Sequence, residues 1–319
     1  MGQHHLVVGA GPVGTATARH LIGRGKDVVV ATRSGTGPAL RRHSVGTGRL
    51  TRVSADASSA KAMTDLARGA AAIYNCANPP YHRWPTDWPP IAEALLTAAE
   101  RNGAVLATVS NLYGYGPVGV PMTEDLPLTA HGPKGRTRAS MWQHALAAHE
   151  AGRVRVTEVR GSDYLCSGPG SQMGDRVMPR ILRGKTVSVL PSADQPHSWT
   201  SVEDVARLLV TVASDERAWG CAWHVPSNAP RSQREVVADL CRAAGIEPVT
   251  VREHPTALLR LLGLVNPMVG ELAEVAYQFE RPFVIDSSAA ETTFGLTPVP
   301  WEEMTAAQVL AYRAPVAVG

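Results

Sequence analysis

The sequence predicts an α/β fold: a doubly wound parallel sheet with a smaller carboxyl-terminal lobe. Three observations carry this. The first is the stretch from His4 to Arg33, where an apolar run, Leu6-Val7-Val8, ends in Gly9-Ala10-Gly11-Pro12-Val13-Gly14 and leads through a helical segment to a second apolar run, Val28-Val29-Val30. The second is the alternation of short apolar runs with helical patterns along the first half of the chain, which indicates parallel strands joined by right-handed crossovers. The third is length: 319 residues bury a sizeable core and exceed what one small domain needs.

Each glycine of the first turn has a mechanical role. Gly9 permits the tight turn out of the strand, Gly11 lets a pyrophosphate approach the backbone, and Gly14 lets the helix pack on the sheet. Pro12, Val13 and Gly14 open the helix, whose free N–H groups and partial positive charge suit an anion. The fold is therefore Rossmann-like and the stretch predicts dinucleotide binding. The second strand ends in Thr32-Arg33-Ser34, without the acid that commonly holds a ribose 2′-hydroxyl. Arg33 matches a 2′-phosphate in charge and geometry, with Arg41 and Arg42 just beyond. NADP is expected over NAD.

Further elements follow in order. Leu50 to Ser54 reads as a third strand; after it, Asp56 either reaches an adenine or caps the next helix. A helix over Lys61 to Arg68 leads to a fourth strand, Ala70 to Ala77, whose end (Cys76, Ala77, Asn78) should line the cofactor groove. Tyr81 to Pro85 reads as a loop, and Pro90 to Asn102 as a helix stopped by Gly103. The fifth strand, Val105 to Val109, runs into Ser110-Asn111-Leu112-Tyr113-Gly114-Tyr115.

Here the chain resembles the extended short-chain dehydrogenase/reductase superfamily, in its NAD(P)-dependent epimerase/dehydratase-like branch. The resemblance rests on Tyr113-Gly114 after the fifth strand, on Arg160-Gly161-Ser162-Asp163-Tyr164 with Gly168-Pro169-Gly170, and on His197 to Ala206. It implies that Ser162 lies at the cofactor and that Tyr164 passes beside the nicotinamide. The family's Tyr-x-x-x-Lys pair is missing: its region reads Gly135 to Gln143, with Lys134 nearby. The chain is thus similar to the atypical branch. Candidates for the proton step are Tyr113, Ser110 and Tyr164; Arg138 would serve as a fixed positive charge, since arginine is no base at neutral pH.

In the second half, Met173 to Leu182 reads as a helix, Val187 to Leu190 as a strand, Val202 to Ala213 as an amphipathic helix and Ala222 to Val225 as a strand. Ser232 to Ala244 reads as a helix and Ile246 to Val251 as a strand. The apolar stretch Ala257 to Ala276 reads as buried helices or a lid, Asp286 to Ser288 as a helix cap, and Gly295 as a stop. The domains expected are 1–165 for the dinucleotide, rejoined by parts of 186–226, and 166–319 for the substrate lobe.

Composition narrows the function. A net charge of +3 gives no reason to expect a nucleic acid. No apolar run nears the ~20 residues that span a membrane, and strand one begins too early for a signal peptide, so a cytoplasmic location is expected. The four cysteines form no C-x-x-C pair, and no metal site is predicted. The reading is an NADP-dependent oxidoreductase that reduces a carbonyl or related unsaturated centre of a small, fairly apolar molecule, with a homodimer as one form of assembly. The alternatives are an epimerase or dehydratase that uses the cofactor transiently, and a non-catalytic NADP-sensing protein.

Overall fold

The computed structural model describes residues 3–38, 47–168, 170–254 and 274–313. Arg41, Arg42, Pro169 and most of the apolar stretch after Ala257 lie outside them. The chain forms two compact units. The first comprises 1–116, 127–161 and 202–225; the second comprises 117–126, 162–201 and 226–319. The first break thus falls after Gly116, ahead of the boundary expected at 165, and the returning segment is 202–225.

The strands are β1 (His4–Val8), β2 (Asp27–Thr32), β3 (Leu50–Ser54), β4 (Ala70–Asn75), β5 (Val105–Asn111), β6 (Arg155–Gly161), β7 (Asp163–Tyr164), β8 (Val187–Val189), β9 (Trp199–Thr200), β10 (Ala222–His224) and β11 (Val251–Glu253). In the first unit seven strands form one parallel sheet, ordered β10-β6-β5-β4-β1-β2-β3. The order reverses between β1 and β4. That reversal opens a crevice at the carboxyl ends of these two strands, the place where such sheets bind ligands.

Helices α1 (Pro12–Gly23), α2 (Ala60–Leu66), α3 (Trp84–Asn102), α4 (Pro133–Glu150) and α6 (Val202–Ser214) belong to this unit; α5 (Met178–Ile181) belongs to the other. Leu6, Ile73, Leu95 and Leu106 join the core of the first unit. α3 starts six residues earlier than Pro90. Pro89 and Pro90 stand inside it and remove two backbone donors. Trp84 and Trp88 offset that loss, because both indoles are buried and anchor the first turns. The helix stops at Gly103, which is left-handed at φ 62°.

In the second unit β8 pairs with β11 and β7 with β9. The strand expected at Ile246 to Val251 lies later, at Val251–Glu253, where β8 supplies its partner. The helix expected from Met173 shrinks to α5, after a run of turns. α7 (Gln233–Ala243) is fixed by a reciprocal cap between Ser232 and Glu235. α9 (Ser288–Phe294), which follows the short α8 (Tyr277–Glu280), ends on left-handed Gly295, and α10 (Trp301–Arg313) closes the described chain. No helix among the described residues is long and apolar enough to cross a membrane.

One strand residue makes stability pH-dependent. His5 on β1 lies against Tyr74, with Nδ1 3.2 Å from the phenol oxygen. Burial, then the charges of Lys26 and His4, lower its pKa from 6.5 to about 4. The folded state therefore takes up this proton later than the unfolded chain does. The stabilisation is full above pH 6.5 and is lost as pH falls toward about 4. Urea unfolding across that range should show a fall in midpoint that is reduced in His5→Gln; an identical fall in both proteins would exclude His5 as its source.

Candidate active site

The first turn is built as the glycine spacing demands. Gly9 has φ +103°, and a Cβ there would lie 2.5 Å from the Cys76 carbonyl oxygen. A Cβ on Gly14 would lie 2.1 Å from the Gly9 carbonyl oxygen. Gly11 differs: a Cβ would meet nothing within 4 Å. Gly9 and Gly14 are thus required by the protein's own packing, while the face above Gly11 is open to a ligand. Gly11 is also the N-cap of α1, with no side-chain cap, Pro12 at the start and no acid in the first turn. The helix start keeps its positive end for an anion, so the residues present fit a dinucleotide pyrophosphate.

The rest of the crevice is formed by β2, β3 and β4. Thr32 donates to the Thr36 carbonyl at 2.9 Å, and Ser34 and Thr36 hydroxyls share a 2.6 Å bond. Ser54 donates to the Arg33 carbonyl, which fixes this backbone and leaves the Arg33 side chain exposed. Asp56 accepts from the Ser58 amide and hydroxyl. Those bonds, and then the Arg33 charge, lower its pKa. The cap of α2 is Ser59, so the capping role weighed for Asp56 passes to a residue three positions on. Cys76 turns its side chain into the core near Thr17, and burial pushes its thiol up to about 12. Its carbonyl lies against Gly9 and its Cβ against Gly14. Ala77 and Asn78 continue past the strand end, with Asn78 exposed.

The end of β5 carries Ser110, which is buried, and Asn111, whose side-chain oxygen accepts from the Tyr113 amide at 3.2 Å. The Tyr113 hydroxyl accepts a hydrogen bond from Tyr81. Tyr115, in the same turn, is a wall residue. It is fully buried, accepts from Arg160 at 2.6 Å and lies 2.8 Å from His224 Nε2. Glu158 pairs with Arg160 at 2.7 Å and completes that network.

Arg138 is not on a solvated helix face. It is buried, with its guanidinium 4.5 Å from the Trp84 ring and 4.3 Å from that of Trp88, and it donates to the Val109 carbonyl. Tyr81 and Lys134 complete this cluster and were missed as site residues. The dense aromatics from Tyr81 to Trp84 were a signal for Tyr81, while nothing local to Lys134 tied it to them.

Ser162 and Tyr164 belong to the second unit. The Ser162 amide donates to Thr200, and its hydroxyl lies 3.4 Å from His197 Nε2. His197 is buried, stacked on Phe279 and Phe283, and paired with Asp163 at 2.9 Å. The Tyr164 carbonyl accepts from Ser171. Trp199 is a wall residue, its indole N–H donating to the Arg231 carbonyl.

A separate cavity of about 690 Å³ lies between α3 and α4, lined by Pro89, Leu96, Leu106, Met141 and Trp142, and does not include the glycine turn. No group of metal-ligating side chains occurs among the described residues.

The family model for the NAD dependent epimerase/dehydratase family matches residues 5–221. The chain belongs to this family. Solved structures share its fold. The dTDP-glucose 4,6-dehydratase of Bacillus anthracis, in complex with NAD, is 17% identical with a TM-score of 0.75, covering 97% of this chain and 96% of that one. The UDP-glucose 4-epimerase of Thermotoga maritima is 17% identical with a TM-score of 0.77, covering 98% and 99%. A double mutant of the dTDP-glucose 4,6-dehydratase of Streptomyces venezuelae, with NAD bound, is 19% identical with a TM-score of 0.75, covering 98% of each chain. No curated protein matches the sequence. Family membership and fold together support a nicotinamide-dinucleotide enzyme of the extended short-chain type.

Proposed function

We propose that this enzyme uses its dinucleotide transiently, as an epimerase or dehydratase does, on a sugar-nucleotide substrate. The observation that carries the reading is the family match over residues 5–221, joined to a turn whose open Gly11 face fits a pyrophosphate. This corrects the emphasis of the sequence reading, which put net reduction of a carbonyl first. The bound nicotinamide would supply the hydride acceptor and donor. The chain's own residues do the rest. The start of α1 holds the pyrophosphate, Asn75 to Asn78 and Ser110 line the groove, and Tyr113 moves the proton of the reacting hydroxyl. The fold neighbours carry dTDP-glucose or UDP-glucose activities in their names, which supports this substrate class.

The preference for NADP rests on Arg33, exposed at the end of β2 with no acid beside it in sequence. Asp56 at the end of β3 shares its charge. Titration of both cofactors into wild type and Arg33→Ala should show NADP bound more tightly, with the difference lost in the variant. Tighter NAD binding by wild type would refute it.

A reductase that consumes its cofactor remains the second reading, favoured by the absence of a Tyr-x-x-x-Lys pair from α4. Incubation with UDP-glucose or dTDP-glucose separates the two. Product without net change in nicotinamide absorbance is expected; stoichiometric loss of that absorbance would favour the reductase.

A further inference from the structure

We propose that Lys134 and Tyr81 position and polarise Tyr113, doing from two new places what the missing lysine would do. The inference deepens the reading above and rests on Tyr113 as the proton-transfer group. Its basis is a cluster at the start of α4. Lys134 is 1% exposed, and its ammonium lies 5.1 Å from the centre of the Tyr81 ring. Tyr81 donates its hydroxyl proton to the Tyr113 oxygen. The two rings meet edge to face at 6.3 Å, and Trp84 packs against both, at 4.7 and 6.1 Å.

The backbone holds this arrangement tightly. A Cβ at Gly135 would lie 2.5 Å from the Tyr113 carbonyl oxygen and 2.4 Å from the Ala130 Cβ. Glycine at that position lets α4 run against the Tyr113 turn, and the residue before it is Lys134. Arg138 follows one turn later on the same helix face, stacked on Trp84 and Trp88. Two cations four residues apart therefore flank one aromatic cluster that contains two hydrogen-bonded phenols. A buried ammonium is costly to desolvate. Placed here, it favours the state in which the phenol pair carries a negative charge, and the Tyr81 hydroxyl supplies a hydrogen bond to the oxygen that carries it.

The step balances simply. As the substrate alcohol is oxidised, its O–H proton passes to the Tyr113 phenolate oxygen. A bound oxidised nicotinamide would accept the hydride from that carbon, which balances the change of the C–O single bond to C=O. The return step reverses both transfers. Lys134 and Tyr81 keep their own protons throughout, so both are positioning residues.

The test is ultraviolet titration of tyrosinate in the full chain, which needs no substrate. Tyr81 hydrogen-bonds the Tyr113 phenol, Lys134 lies over the Tyr81 ring, and Arg138 lies over the Trp84 ring that packs on Tyr113. Of the seven tyrosines, one should ionise ahead of the others. That early ionisation should vanish in Tyr113→Phe, move to higher pH in Lys134→Met and Tyr81→Phe, and return in Lys134→Arg. Circular dichroism and dinucleotide Kd check that each variant is folded; if Lys134→Met fails there, Tyr81→Phe and Lys134→Arg decide. An early ionisation unmoved in Lys134→Met, or none in wild type, would overturn the proposal. With UDP-glucose as substrate, Lys134→Met should lower kcat by about 10–100-fold, within the range of general acid–base effects, and leave KM near its wild-type value. If the titration behaves as stated while no sugar nucleotide is turned over, the cluster stands and the functional reading falls.

Discussion

Replacing Tyr113 with phenylalanine should lower kcat by roughly 10²–10⁴-fold, the usual size of a positioned proton-transfer group. KM and cofactor Kd should change little. The ring stays, and its packing on Trp84 and Tyr81 does not depend on the hydroxyl. Tyr115→Phe is the natural control, because Tyr115 lies two residues away and has opposite surroundings. Its hydroxyl bonds Arg160 and His224 inside the unit, so its loss takes one hydrogen-bond partner from each of two buried polar groups. A stability loss of about 1–3 kcal/mol is expected from that, with kcat preserved in the folded fraction. Kinetics and urea unfolding on both variants check the pair. Equal loss of kcat in the two would show that the turn as a whole, and not the Tyr113 proton, matters.

Gly14→Ala should be strongly damaging to the glycine turn. The added Cβ falls 2.1 Å from the Gly9 carbonyl oxygen and 3.2 Å from the Cys76 Cβ, so backbone must move. Overpacking of this kind costs about 1–3 kcal/mol or more, and the variant should unfold at lower urea and bind dinucleotide poorly. Gly11→Ala adds the same methyl where nothing lies within 4 Å. It should unfold like wild type yet lose at least about tenfold in dinucleotide affinity, roughly 1.4 kcal/mol. A Gly11→Ala protein with unchanged affinity would place the pyrophosphate elsewhere.

The glycine turn was legible because the spacing of its three glycines is local in sequence, although part of the packing that requires Gly9 and Gly14 comes from distant Cys76. β1 to β5 were legible for a related reason: short apolar runs between helical patterns admit few alternatives. α3 was cut short because Tyr81 to Pro85 read as a loop, whereas buried Trp84 and Trp88 carry the helix start back to Trp84. β11 was misplaced because its partner β8 lies over sixty residues away, which no local pattern reports. Arg138 could be named as a fixed charge, yet its seat between two indoles depends on tertiary packing. Lys134 and Tyr81 were illegible as a pair for the same reason, since they stand on different elements and meet only through Tyr113.

The central claim is transient use of a bound nicotinamide dinucleotide. It is tested most directly by incubating the purified, cofactor-loaded protein with dTDP-glucose or UDP-glucose and following nicotinamide absorbance and sugar product together. Product formed over many turnovers with absorbance restored at the end is the predicted result. Product formed only in step with added cofactor, or dinucleotide bound with no product from either sugar nucleotide, would contradict it.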